Sequence, residues 1–143
     1  MSPPINIIEK NYSNGKPFTD VRIAVINREN LRQITIQKKV RIDTGFDAGV
    51  HVRESEMLEL STIGIRPTPG SATLAGDVTA KAYFCFAYLQ QIGDFELPPP
   101  GMEVTLMFQG SGREGLLGLE ILNNWIVTFN GPEQFFKIVH PEA

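Results

Sequence analysis

The stretch QITIQKKVRID, residues 33–43, decides how the rest of the chain reads. Ile34, Ile36, Val40 and Ile42 share one parity, and only Lys38 interrupts them. A period of two marks a strand with one buried face, because successive side chains point to opposite sides. VRIAVI, 21–26, precedes it, and the polar NRENL between them, 27–31, reads as a hairpin connection. VTAKAYFCFAYLQ, 78–90, is the longest strand candidate, with Val78, Ala80, Ala82, Phe84, Phe86 and Tyr88 on one parity. Leu74 to Asp77, just before it, reads as a hairpin tip. EVTLMF (103–108), WIVTFN (125–130) and QFFKIV (134–139) are further strands, the last two joined at Asn130-Gly131.

RESEMLEL (53–60) and LGLEILNN (117–124) are the helix-like stretches, both short. Ile63 to Pro69 is punctuated by Gly and Pro, which leaves loop or edge strand, and the prolines between Phe95 and Gly101 make a stiff connector. Seven or eight short strands with one or two short helices define an all-β barrel or sandwich.

Composition agrees with that class. A chain of 143 residues fits one domain, 1–143, with its core over about 20–139. Its 13 Gly and 10 Pro favour a turn-rich β protein over a helix bundle. A formal charge of −3 argues against nucleic acid as a partner. Cys85 is the one cysteine, so neither an intrachain disulfide nor a cysteine-based zinc site can form. Two histidines are too few for a histidine-rich metal cage, and no metal or cofactor is expected. No apolar run approaches the roughly 18 residues of a membrane span, so no membrane partner is expected either. MSPPINIIEK lacks the basic and long apolar regions of a secretory signal, and the expected location is the cytoplasm.

Chemistry concentrates at Asp43-Thr44-Gly45, at the end of the 33–43 strand. At this composition the tripeptide is expected by chance about 0.03 times. It can also be a plain Asp-Gly-type turn. Asp43 lies on the polar parity, and Gly45 allows another backbone to come close. Leu116-Leu117-Gly118 follows about 75 residues later, before a short helical stretch. Alone it is ordinary core packing; as an ordered pair the two motifs say more.

On these residues the chain resembles the retropepsin-like, retroviral-type aspartic proteases, especially small bacterial and archaeal members with Asp-Thr-Gly-Phe-Asp. The matching stretches are VRIDTGFDAGV (40–50), LAGDVTAKAYF (74–84) as the flap hairpin, and LLGLEIL (116–122). The resemblance implies a closed acid-protease-like barrel of a single lobe, hydrolysing polypeptides. In that family two carboxylates share a proton, one activating water and the other protonating the carbonyl oxygen. One Asp-Thr-Gly per chain then requires a C2 homodimer. By the resemblance Asp43 is catalytic, Thr44 braces the two loops across the dimer, and Gly45 offers its carbonyl to the peptide. Asp47 stands where the retroviral pattern binds substrate main chain, though a turn residue fits the position equally well. Phe46 replaces a small residue and either narrows the cleft or packs inward. Ala75 and Gly76 fall at the flap tip, where a plain hairpin turn would also place them.

The chain departs from the retroviral pattern after Gly118, where Leu119-Glu120 replace Arg-Asn or Arg-Asp and leave Asp47 without its expected cation. That departure supports the rival reading, a catalytically inactive dimeric peptide-binding module. GSGREG, 110–115, satisfies Gly-x-Gly-x-x-Gly but lacks the βαβ unit that a dinucleotide site needs, and reads as a flexible loop. Cys85 reads as a packed or interface thiol, and Trp125, Val127 and Phe129 as core or dimer contact. His51 reads as a surface residue that could border the cleft.

Overall fold

The computed structural model describes residues 5–74, 78–111 and 115–141. The 33–43 alternation becomes β3 (Gln33–Ile42), which pairs antiparallel with β2 (Phe18–Ile26). In their hairpin, Asn27 is buried; its side chain accepts the Glu29 N–H and donates to the Ile63 carbonyl at 2.7 Å. Lys38, the break in the apolar parity, is held by an ion pair to Glu56 at 3.3 Å, with the two side chains only 10% and 20% exposed. A buried charge requires such a partner. Glu56 belongs to a 3-10 helix, Glu54–Ile63, where RESEMLEL was expected to be helical.

β4 (Val50–Val52) precedes that helix, and β5 (Thr68–Leu74) follows it as an edge strand carrying Pro69. β6 (Val78–Ile92) is the longest strand, and β7 (Phe95–Glu96) pairs with its end. β8 (Met102–Phe108) comes next, then β9 (Gly115–Leu117) and a one-turn helix, α1 (Leu119–Leu122). The expected helix over 117–124 is thus cut down, because Leu117 is spent on a strand and Gly118 is the cap. β1 (Ile5–Asn11), β10 (Ile126–Asn130) and β11 (Phe135–His140) complete the described residues.

Six strands close into a barrel in the order β2-β3-β9-β4-β8-β6, with β6 pairing back to β2. A second sheet, β1-β11-β10, lies outside this ring. Its Ile7, Ile8, Phe136 and Ile138 belong to the same buried cluster as Ile23, Val40, Leu89, Leu106, Phe108 and Leu117 of the barrel. The buried cluster therefore reaches back to Ile7. No helix among the described residues is long and apolar enough to cross a membrane.

The inward parity of β6 differs from the expected one. Ala87 and Leu89 are buried, and Tyr83 and Cys85 pack on the core, whereas Phe86 is 68% exposed. A register shift opposite Arg22–Ile23 leaves Gln90 as an extra residue and returns Ile92 to the interior. Before Tyr83, β6 leaves its β8 partner and continues paired with β5 alone. The result is a two-stranded arm. Its expected tip, including Ala75 and Gly76, lies outside the described residues, as do residues 112–114 of the GSGREG loop.

Candidate active site

β3 and β4 follow one another in sequence, yet β9 lies between them, parallel to β3 and antiparallel to β4. The connection carrying Asp43-Thr44-Gly45-Phe46-Asp47 must therefore pass over the end of β9. Three backbone bonds fasten it there. Asp43 N–H donates to the Leu117 carbonyl at 2.9 Å, Gly118 N–H to Gly49 at 2.8 Å, and Leu119 N–H to Phe46 at 2.8 Å. Gly118 lies so close beneath this loop that an added Cβ would collide with the Phe46 and Ala48 carbonyls and stand 2.6 Å from Phe46 Cδ2. The two sequence motifs are thus one structural unit.

Within the loop, Asp43 Oδ1 accepts the Gly45 N–H at 2.8 Å, and the Asp43 carbonyl accepts from Phe46 at 3.2 Å. This is a tight Asx turn, and Asp43 lines the cleft described below. Arg41, two residues earlier on the same face of β3, approaches Asp43 Oδ2 to 3.6 Å. The Asp43 side chain remains 28% exposed in the protomer. Thr44 is exposed at the apex, and its hydroxyl has no partner among the described residues.

A cleft of about 750 Å³ opens beside this turn. Strand register assigns its floor: Leu116 opposes His51, His51 opposes Met107, and Met107 opposes Phe84. Residues directly opposite share a face, so the four form a row on the outside of the barrel. Asp43, Gly45, Phe46 and Asp47 flank the row, and Ser71, Ala72 and Thr73 of the arm line it from β5. Asp43, Gly45, Phe46 and Asp47 are thus brought together, whereas the position of Ala75 and Gly76 is outside the described residues.

Phe46 both packs inward against Gly118 and walls the cleft. Asp47 is exposed and has no described partner, while Glu120 is committed elsewhere: its carboxylate accepts from the Thr105 N–H and, at 2.9 Å, from the Thr105 hydroxyl. Glu120 therefore braces α1 on β8. A smaller concavity of about 240 Å³ over Asp20, Arg22, Gln37 and Lys39 lies on the outer face of β2 and β3. Its polar groups are exposed or paired surface residues, and the Asp43 turn lines the larger cleft instead.

His51 is a correction to the sequence reading. It is 9% exposed rather than on the surface, with Nε2 at 2.8 Å from the Gln109 carbonyl and its ring edge-on to Phe46. Alternation places His51 on the outer face of β4, but cannot show that the outer face is roofed by a loop. Cys85 is packed as expected, and burial pushes its thiol up to about 11. No group of three or more potential metal ligands occurs among the described residues. No protein-family model, curated protein or solved structure matches the chain.

Proposed function

We propose that this chain is a retropepsin-like aspartic endopeptidase, active as a homodimer that pairs two copies of Asp43. The supporting observation is the Asp43–Gly49 loop strapped across Leu117-Gly118, with its carboxylate at the mouth of a cleft beneath a β-hairpin arm. Each part suits peptide hydrolysis. The Asx turn preorganises the carboxylate, so little is lost on orienting it at the reacting carbonyl. The cleft takes an extended chain, and the arm can exclude water from it. In the paired site one Asp43 takes a proton from the attacking water, while the other, protonated, donates to the substrate carbonyl oxygen. A lone protomer lacks the second carboxylate.

Asp43→Asn tests the reading. A peptide library incubated with the wild type at acidic and neutral pH is expected to be cleaved, and an aspartic-protease inhibitor is expected to stop it. The variant should lose at least about 10³-fold in kcat while keeping the wild-type mass in solution. Undiminished turnover in Asp43→Asn sinks the assignment. The Arg41–Asp43 ion pair favours a second reading, a dimeric peptide-binding module without turnover, because it engages the carboxylate oxygen that Gly45 leaves open. Tight peptide binding with no inhibitor-sensitive cleavage would select that alternative.

A further inference from the structure

His51 is the polar exception in the central row of the cleft floor, between Leu116 and Met107. In the neutral ring, the contact of Nε2 with the Gln109 carbonyl places the imidazole proton on Nε2, because a carbonyl can only accept. Nδ1 then carries a bare lone pair. That atom is closed off from solvent and has no hydrogen-bond partner among the described residues. A buried acceptor left unmatched is destabilising, and an apolar residue would complete the row without that cost. Of the buried polar atoms without a partner among the described residues, this is the one whose residue lines the cleft.

We propose that His51 is a specificity-determining residue whose Nδ1 accepts a hydrogen bond from the hydroxyl of a substrate side chain. The inference rests on the peptide-cleaving reading above. It narrows the substrate class to polypeptides with Ser, Thr or Tyr at the position seated over the His51–Met107 part of the floor. Phe46, Met107 and Leu116 surround the histidine with apolar surface suited to the carbon portion of Thr or Tyr. A cationic donor is disfavoured there, because it would be desolvated among those side chains. Phe46 is partly exposed and edge-on to the imidazole, so its ring is the wall that turns aside as the hydroxyl enters.

The test uses peptides that differ at each position by one isosteric pair: Thr against Val, Tyr against Phe, Ser against Ala. With the wild type, one position should favour the hydroxyl member by about tenfold or more in kcat/KM. In His51→Leu that ratio should fall to about one. Absence of discrimination at every position, or a ratio that survives His51→Leu, overturns the inference. Should His51→Leu not fold, His51→Phe, a ring of similar size with no acceptor, takes its place and should likewise bring the ratio to about one. If no peptide is cleaved, the function proposed above fails by itself. The same pairs measured for binding by calorimetry then read the His51 preference independently, with equal Kd values for both members overturning it.

Discussion

Gly118 carries no side chain because none fits. Adding one methyl in Gly118→Ala would force the Phe46–Ala48 backbone away from β9 and loosen the three bonds that hold the Asp43 turn. The expected loss is about 3 kcal/mol in urea unfolding, at the upper end for overpacking because the opposing atoms are backbone. Cys85 gives a pH-dependent prediction. Its thiol ordinarily titrates near 9.0 and is pushed up to about 11 by burial, so above pH 9 the unfolded chain releases the proton first. The unfolded state then binds fewer protons than the native state, and stability falls as pH rises from about 9 to about 11. A two-unit shift amounts to about 2–3 kcal/mol. Cys85→Ala should lack this component when unfolding free energies are compared at pH 8 and pH 11. Asp43-Thr44-Gly45 and Leu116-Leu117-Gly118 were legible because each is a contiguous tripeptide. His51 was not, since its cover comes from Phe46, which sequence separation alone does not place over it.

Among the elements, the 3-10 helix is held by its buried Leu60 and Ile63, by the Asn27 bond to the Ile63 carbonyl and by one ion pair. Lys38 and Glu56 form the ion pair that joins it to β3. Glu56→Ala leaves a largely buried ammonium without its partner, at an expected cost of about 2–3 kcal/mol, somewhat below that of a fully buried pair. Lys38→Met combined with Glu56→Leu should recover most of this in a thermal or urea melt, whereas additive losses would show that the pair is not coupled. The same element scale shows where alternation misleads. Of the apolar parity read in 78–90, Ala82 is buried but Phe84 and Phe86 face the cleft and solvent, and the core takes Ala87 and Leu89. Aromatic residues at Phe84 and Phe86 outweighed small ones that pack better inside. β1 went unread because a register shift between Asn6 and Ile8 breaks its period, so that Ile7 and Ile8 are both buried.

For the whole molecule, an all-β single domain could be read from strand count and turns, whereas the closed barrel, which the structure shows, was expected only from the family resemblance, because the β2–β6 and β3–β9 pairings join distant segments. The proposed twofold assembly makes its own prediction. If both Asp43 carboxylates are needed, mixing wild type with a ninefold excess of Asp43→Asn leaves about a tenth of wild-type chains in fully active pairs. Cleavage should fall to that level after subunit exchange. Activity unaffected by the excess would show that each chain works alone, and sedimentation of the mixture reports whether exchange has occurred.

The strand that anchors the Asp43 turn is made late. Val40 pairs with Gly115, about 75 positions further along, so a growing chain carries the aspartate long before it has anything to hold it. Non-local parallel pairing is slow to form, because a long loop must close before its contacts offset the cost. The turn's fastening to β9 therefore waits on that long-range contact, and a nascent chain stopped before residue 115 lacks the strand that holds the Asp43 loop. Synthesis of the Asp43 turn and its fastening are separated in time by the order of the strands alone.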